Sequence, residues 1–263
     1  MDDDLRVLTW NLQGSKGVDT GRVIGVMAEY RPDVVVLQEV QRRQLARLAE
    51  RAGVGLWPGE RVAHAWTLKH YPYSPLVWWR AEGLAVLSRY PLSASGTVVL
   101  TPGVSTWTYR RRVMLWATIT LPDGPARVLD VHLASSPDGG SERDAQAAMV
   151  AAHLDGMDDA GGGGVGGAHR AIVAGDLNGS GDTAPLAPFR ALGLVDAWAA
   201  AGSGPGWTNP AGRVHQRLDY VLAGASWQIT DAAMPADSAE MAHLSDHLPV
   251  AVGLRRNAGR DPA

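Results

Sequence analysis

The chain has 263 residues, of which 46% are hydrophobic, and a formal net charge of −3. This length suits a single large α/β or two-sheet core, and no run approaches the roughly 18 apolar residues of a membrane span. The absence of cysteine excludes disulfides, zinc–thiolate sites and cysteine nucleophiles. Any metal would therefore have oxygen or imidazole ligands, which favours Mg²⁺, with Mn²⁺ or Ca²⁺ as alternatives.

The charge balance also bears on partners and on location. Proteins that bind long duplexes through many phosphates are usually basic, so a net charge of −3 argues against that role. Residues 1–4 are acidic and lack the basic and apolar regions of a secretory signal. We expect either a cytoplasmic protein or a secreted form from which a signal was removed, and in both cases a monomer.

Hydrophobic patterning predicts a strand-rich chain with few helices. Apolar runs, alternating or continuous, predict strands at residues 5–10, 34–37, 83–87, 113–121, 127–133, 171–174, 218–222 and 248–254. Helices are predicted at residues 18–30, 41–52 and 141–154, the last with Ser141 as its N-cap. Pro122-Asp123-Gly124 predicts a hairpin turn, and residues 89–92 predict a turn away from the preceding strand.

Residues 161–167 are nearly all glycine and have two interpretations. A phosphate-binding loop would end in Lys-Ser/Thr and lead into a helix, and this segment does neither. A flexible surface linker is the better interpretation. Because no change in composition marks a boundary, we expect one domain over residues 1–263, with a core at about 5–254 and a tail at 255–263.

Polar residues recur where the predicted buried strands end or begin. An isolated buried charge is costly unless it is paired or bound to metal, so these residue types are poor choices there for stability alone. A rigid sheet that presented them together would form a preorganised site. The residues are Asn11, Gln38, Glu39, His132, Asp176, Asn178, Asp219, Ser245, Asp246 and His247.

These residue types support hydrolysis of phosphate esters. A hard cation on carboxylate oxygens neutralises the anionic ester and stabilises the leaving oxygen. Amide and imidazole donors hold the non-bridging oxygens as negative charge builds up. A histidine beside a carboxylate acts as a base or as an electrostatic clamp.

Six ordered blocks resemble the endonuclease/exonuclease/phosphatase superfamily, which includes DNase I. They are TWNLQG, VVLQEV, EGLAVLSRYPL, DVHLAS, AGDLN and LSDHLPV, with RLDYVL between the last two, and they span about residues 5–252. The resemblance implies a four-layer sandwich of the α+β or α/β class, in which two face-to-face mixed β-sheets are flanked by helices. It also implies a divalent-metal-dependent hydrolase of phosphate esters.

The same resemblance implies roles for ten residues. Those expected at the metal are Asn11, Glu39 and Asp246. Those expected in catalysis are His132, Asp176, Asn178, Asp219 and His247, with Asp219 as the acid paired with His247. Arg112 is expected to contact the substrate phosphate, although Arg111 could replace it, and Glu82 is expected to pair with His132.

Simpler interpretations remain for several of these residues. Asn11 could be a turn residue, Glu39 could cap the helix near residue 41, and Asp176-Leu177-Asn178 could be an Asx turn. His132 alone could be a hydrogen-bonded core histidine. The run of residues 110–112 could be a solvated edge that limits aggregation.

The tryptophans allow base stacking, but core packing or a wall of a substrate groove is favoured for most of them. They are Trp57, Trp66, Trp78, Trp79 and Trp107.

The substrate is less determined than the reaction. Val40-Gln41 after Glu39 argues against abasic-site endonucleases, and Gly179-Ser180-Gly181 argues against inositol phosphatases. Nucleic acid is the first substrate expected, and the low basicity favours a short or single-stranded one. A phospholipid diester is the alternative, with residues 57–79 as an interfacial loop. A phosphomonoesterase, or a binding module without catalysis, also remains open.

Overall fold

The computed structural model describes residues 4–72, 74–136, 138–157, 167–236 and 238–257. Most of the predicted glycine linker, residues 161–166, lies outside the described residues, as does the end of the predicted tail, residues 258–263.

Within the described residues, twelve strands form two sheets of six. The strands of the first sheet are β1 (Asp4–Asn11), β2 (Val34–Gln41), β3 (Ala63–His70), β4 (Glu82–Ser88), β11 (Trp227–Ala233) and β12 (Val250–Arg256). Their order is β11-β12-β1-β2-β4-β3. The pair β1–β2 is parallel and the other neighbours are antiparallel, so the sheet is mixed.

The second sheet has the same size and is also mixed. Its strands are β5 (Leu92–Val99), β6 (Val113–Leu121), β7 (Gly124–His132), β8 (Ala171–Asp176), β9 (Val195–Asp196) and β10 (Asp219–Ala223). Their order is β5-β6-β7-β8-β10-β9, and β7–β8 is the parallel pair.

Helices cover the outer faces of both sheets. The helices are α1 (Thr20–Glu29), α2 (Arg42–Gly55), α3 (Gly140–Gly156), α4 (Ala187–Ala191), α5 (Ala197–Ala201) and α6 (Ser238–Met241). Apolar residues of α1 and α2 pack on the first sheet, and those of α3 and α4 pack on the second. A third apolar cluster joins the inner faces of the two sheets. The expected four-layer sandwich with two face-to-face mixed sheets is confirmed.

A polar link crosses the apolar layer between the sheets. Asp130 of β7 accepts hydrogen bonds from Gln38 Nε2 of β2 at 2.7 Å and from the Ala85 amide of β4 at 3.0 Å. Gln38 also contacts Thr9 of β1. Burial raises the pKa of Asp130 well above its usual value, although both hydrogen bonds lower it. This link joins strands of both sheets close to Glu39 and His132.

The eight predicted strands are all present, and the four strands that were not predicted are the four sheet edges, namely β3, β5, β9 and β11. The predicted turn at residues 89–92 gives way to β5 at Leu92, and the predicted tail is shortened because β12 continues to Arg256. Edge strands bury less surface and carry more polar residues, so their hydrophobic pattern is weak.

The three predicted helices are also present, with different starts. Asp19 caps α1 by accepting hydrogen bonds from the amides of Gly21 and Arg22. The prediction that Ser141 caps α3 is wrong, because that helix begins at Gly140 and Gly139 is its N-cap. No helix in the described part of the chain is long and apolar enough to cross a membrane.

Gly175 permits the close approach of β7 and β8 next to Asp176. Its φ is 138°, and a Cβ added there would lie 2.0 Å from the carbonyl oxygen of Val131. A side chain would therefore meet both backbone strain and a backbone clash.

We expect Gly175→Ala to lower the free energy of unfolding by about 3 kcal/mol, because overpacking and the unfavourable φ add together. Gly25→Ala is the matched control, since Gly25 lies in α1 with nothing within 4 Å of an added Cβ. That substitution should stabilise the protein by about 0.5–1 kcal/mol. Urea unfolding of both variants gives the comparison, and equal effects would contradict the proposed clash.

Candidate active site

Parallel pairing places the ends of four strands at one edge of the sandwich. In the first sheet Asn11 at the end of β1 is in register with Gln38 of β2, one residue before Glu39. In the second sheet His132 at the end of β7 is in register with Asp176 at the end of β8. Because parallel strands end on the same side, each sheet presents two candidate site residues together.

Antiparallel strands add residues from their beginnings. Asp219 at the start of β10 is in register with Asp176, and Glu82 at the start of β4 is in register with Gln41 of β2. A strand that runs antiparallel begins where its neighbour ends, which explains why these acids reach the same edge.

The residues meet in a cleft of about 480 Å³. Nine of the ten predicted site residues line it, namely Asn11, Glu39, Glu82, Arg112, His132, Asp176, Asn178, Asp246 and His247. The tenth, Asp219, has a side chain that is 0% exposed and lies against His247. The structure thus places the predicted set in one site, and their roles remain predictions.

One hydrogen bond connects the two halves of the cleft. Asn11 Nδ2 from the first sheet donates to Asp176 Oδ2 from the second at 3.1 Å. The amide of Asn178 donates to Asp176 Oδ1 at 2.9 Å, so the simpler Asx-turn interpretation also holds at this position. The Asx turn does not compete with a role in the cleft, because both residues line it.

His247 and Asp219 form a buried pair. His247 Nδ1 lies 2.7 Å from Asp219 Oδ2, and its Nε2 lies 3.8 Å from Asp176 Oδ2. Burial opposes the charge on His247, but the carboxylates of Asp219 and Asp176 outweigh it and raise the pKa of His247 to about 10. Burial also raises the pKa of Asp176 to about 7, although the His247 charge lowers it.

The surroundings of His132 differ from those that were predicted. The expected pairing of Glu82 with His132 is wrong, because the ion pair of Glu82 is with His70, at 3.5 Å. His132 Nδ1 instead faces Lys69 Nζ at 3.3 Å. Burial lowers the pKa of His132 well below its usual value, and the cations of Lys69 and Arg112 lower it further.

Lys69 is the main residue that the sequence analysis missed. Thr67 and Lys69 are the buried positions of β3, and Lys69 lines the cleft. Burial and the nearby charge of Arg112 together lower the pKa of Lys69 to about 8, although the neighbouring acids raise it. The sequence contains a signal that could have identified Lys69. The chain has only two lysines, and one of them lies within the β3 segment.

Of the two candidate arginines, Arg112 is the one at the cleft. Arg112 is 3% exposed, and its guanidinium donates to the Leu133 carbonyl at 2.9 Å and to Ser135 Oγ at 3.1 Å. Arg111 instead donates to the carbonyls of Leu68 and Lys69, both at 2.6 Å. The simpler solvated-edge interpretation therefore does not apply to Arg112.

Unusual backbone geometry is concentrated at the cleft. Among the described residues, four other than glycine have positive φ, and Gln13, Glu39 and Asn178 of these line the cleft. Glu39 has φ 54° at an irregularity in the β2–β4 pairing, so its side chain is redirected. Backbone strain of this kind often accompanies functional sites. Glu39 does not cap α2, because Gln41 does so through a capping box.

Glu39, Asn11 and Asp246 could hold a cation through oxygen atoms. Burial raises the pKa of Glu39, and no described residue donates a hydrogen bond to its carboxylate; the nearest ionic partner is His132 Nε2, at 3.9 Å. Asp246 Oδ2 accepts from Gln13 Nε2 at 2.7 Å. A mostly buried carboxylate without a donor fits a hard divalent ion.

A second group of residues also brings three possible metal ligands together. Ligand-type atoms of Asp176, Asp219 and His247 lie within 4.8 Å of one another. However, His247 Nδ1 and Asp219 Oδ2 are already hydrogen-bonded to each other at 2.7 Å. Both atoms are therefore less available to a cation than the carboxylate of Glu39, which accepts no hydrogen bond from a described residue.

The family model described as the Endonuclease/Exonuclease/phosphatase family matches residues 8–247. The chain belongs to this family. The expected resemblance is thereby confirmed, and members of the family are phosphoesterases or nucleases. No curated protein gives a significant match to the sequence.

Solved structures of the endonuclease/exonuclease/phosphatase family share the fold. A member from Beutenbergia cavernae is 27% identical, with a TM-score of 0.74, over 97% of this chain and 72% of that one. A member from Bacteroides vulgatus is 18% identical, with a TM-score of 0.77, over 97% and 99%. A mannosyl-6-phosphatase from Bacteroides thetaiotaomicron is 17% identical, with a TM-score of 0.73, over 95% and 99%.

The buried Asp219–His247 pair should be energetically coupled. In a double-mutant cycle of Asp219→Asn and His247→Gln, we expect a coupling in the free energy of unfolding of about 2 kcal/mol, because either single change leaves a buried partner unsatisfied. The exposed pair Arg22–Glu240, at 3.8 Å, is the control and should give a coupling of about 0–0.5 kcal/mol. Additive losses at Asp219 and His247 would rule out the pair.

Proposed function

We propose that this protein is a divalent-metal-dependent phosphodiesterase that attacks phosphorus with water. Nucleic acid is the substrate we expect ahead of the alternatives. The single observation that carries the proposal is the cleft, where carboxylates, amides, three imidazoles and a buried arginine from both sheets converge. This set combines cation ligands, a group to accept a proton and donors for the phosphoryl oxygens.

The geometry suggests a division of tasks among the chain's own residues. Asp176 lies within 4 Å of Nε2 of both His132 and His247, so a water molecule held there can lose its proton to this carboxylate. Asp219 holds His247 through Nδ1, which directs Nε2 into the cleft towards a phosphoryl oxygen. Asn178 Nδ2 donates to the Leu133 carbonyl at 3.0 Å, which fixes the loop that follows Asp176.

The donor set fits the expected cation. Glu39, Asn11 and Asp246 offer oxygen atoms alone, which suits Mg²⁺ or Mn²⁺ better than softer metals. A bound divalent cation supplies neutralisation of the phosphoryl charge and stabilisation of the leaving oxygen. Arg112 adds a fixed positive charge to the same cleft.

Direct binding measurements separate the two candidate cation positions. We expect Glu39→Gln to weaken Mn²⁺ affinity by at least about 10-fold, since even an outer-shell change costs 10–100-fold. Asp219→Asn should change affinity by less than about 3-fold, because the effect of this buried charge is indirect. Titration calorimetry with Mn²⁺ gives both values, and the reverse ranking would move the cation to the Asp176–His247 group.

A substrate panel tests the reaction itself. The substrates are bis-p-nitrophenyl phosphate, p-nitrophenyl phosphate, single-stranded DNA, duplex DNA, RNA, sphingomyelin vesicles and inositol phosphates, each with Mg²⁺, Mn²⁺ or EDTA. We expect turnover of diesters over monoesters, preference for single strands over duplex because of the net charge of −3, and no turnover in EDTA. Turnover that EDTA leaves unchanged would refute metal dependence, and a preference for monoesters would favour a phosphomonoesterase. Binding without turnover of any substrate would favour a non-catalytic module.

A second candidate substrate, a phospholipid diester, is favoured by exposed apolar residues beside the cleft. We call Leu76, Trp78, Trp79, Trp107 and Tyr109 the apolar rim; each is at least 40% exposed. The predicted core packing holds for Trp57, which is 3% exposed, but not for Trp78, Trp79 and Trp107, for which a wall of the substrate groove stays a prediction. Trp107 of the rim stacks on Tyr71, with ring centroids 4.6 Å apart. Exposed tryptophans are common at membrane surfaces.

The rim can be tested separately from the cleft. If phospholipid is the substrate, the Trp78→Ser/Trp79→Ser variant should bind sphingomyelin vesicles about 10-fold more weakly and keep its rate on bis-p-nitrophenyl phosphate. Trp207→Ser is the control, since Trp207 is 42% exposed and does not line the cleft. Unchanged vesicle binding, with weaker binding of single-stranded DNA, would assign the rim to base stacking.

A further inference from the structure

Lys69 and His132 form a buried contact that bears on how the cleft handles protons. Each residue is 3% exposed, and Lys69 Nζ lies 3.3 Å from His132 Nδ1. An ammonium group has three donors and no acceptor, so Nδ1 accepts this hydrogen bond. The single proton of the neutral imidazole then resides on Nε2.

That Nε2 atom faces the cleft. It lies 3.7 Å from Asp176 Oδ2 and 3.9 Å from Glu39 Oε1, on the side where the substrate would bind. A neutral imidazole with its proton on Nε2 is a hydrogen-bond donor towards that space. It has no free basic nitrogen there with which to take a proton from water or a leaving group.

The arrangement is the opposite of the one that an acidic partner would impose. A carboxylate on Nδ1 would keep a proton on that atom and leave Nε2 free as a base. Glu82, the acid at hand, is paired with His70 at 3.5 Å instead. With Lys69 and not an acid as the partner of Nδ1, Nε2 of His132 is a hydrogen-bond donor and not a base.

We propose that Lys69 is a positioning residue that holds His132 as a neutral Nε2–H donor to a phosphoryl oxygen, so that His132 binds substrate without transferring a proton. The substrate part of this inference rests on the proposed function. Proton transfer then depends on Asp176 and on the Asp219–His247 pair. The tautomer itself is a property of the protein without substrate.

Nuclear magnetic resonance measures the tautomer directly. Long-range ¹H–¹⁵N spectra of the full chain, in EDTA and in Mg²⁺, should show the His132 ring protonated at Nε2 and unprotonated at Nδ1. The His132→Gln spectrum identifies the signals by their loss. A wild-type ring protonated at Nδ1, or at both nitrogens, would overturn the proposal without any variant of Lys69.

Variants of the two lysines show whether Lys69 is the cause. Lys69→Met should produce a mixture of both tautomers, whereas Lys69→Arg should restore the Nε2–H form because arginine also has donors alone. Lys16→Met is the matched control, since Lys16 is exposed and is the other lysine of the chain. A pure Nε2–H tautomer in folded Lys69→Met would remove Lys69 from the explanation.

Activity on bis-p-nitrophenyl phosphate tests the consequence. His132→Gln keeps an N–H donor at similar reach, so kcat should fall by no more than about 10-fold, the value of one hydrogen bond. His247→Gln should lower kcat by at least about 100-fold, as loss of an acid–base group does. Equal losses would overturn the donor role. If the wild type turns over no phosphate ester, the proposed function fails, while the tautomer spectra still decide the role of Lys69.

Discussion

Apolar packing between the inner faces of the two sheets holds two half-sites at hydrogen-bond distance. Each sheet has one parallel pair of strands, and the ends of both pairs lie at the same edge of the sandwich. Neither sheet alone has a complete set of groups, because Asn11 and Glu39 belong to the first and His132 and Asp176 to the second. Catalytic geometry is therefore a property of the packing between sheets as much as of individual residues.

Burial makes the electrostatics of the cleft strongly coupled. Carboxylates, imidazoles and cations that would be independent in water share a small space, so each sets the charge of its neighbours. Asp219 and Asp176 favour a charged His247 in spite of its burial, while burial, Lys69 and Arg112 all favour a neutral His132. The pKa values of His132 and His247 are therefore shifted in opposite directions within one cleft.

Burial also decides which parts of this fold can be predicted from the sequence. Central strands are covered on both faces, so their continuous apolar runs identified all eight, while the polar edge strands β3, β5, β9 and β11 gave no pattern. Ordered motifs identified the residues of the cleft, because each motif ends or begins a central strand. They failed for Lys69, which lies on an edge strand, and for the partner of Glu82, because pairing across strands depends on side-chain placement that no linear motif contains.

The link of Thr9, Gln38 and Asp130 has a consequence for redesign of this protein. Apolar side chains tolerate a small shift of one sheet over the other. The hydrogen bonds of this buried link form at only one relative position of the two sheets. Gln38 precedes Glu39, and Asp130 lies two residues before His132. Replacing these three residues with apolar ones would often make the protein more stable, because buried polar groups cost free energy. The distance between the two half-sites would then no longer be fixed by this contact. Thermostabilised versions should therefore repack the outer layers and leave these three residues in place.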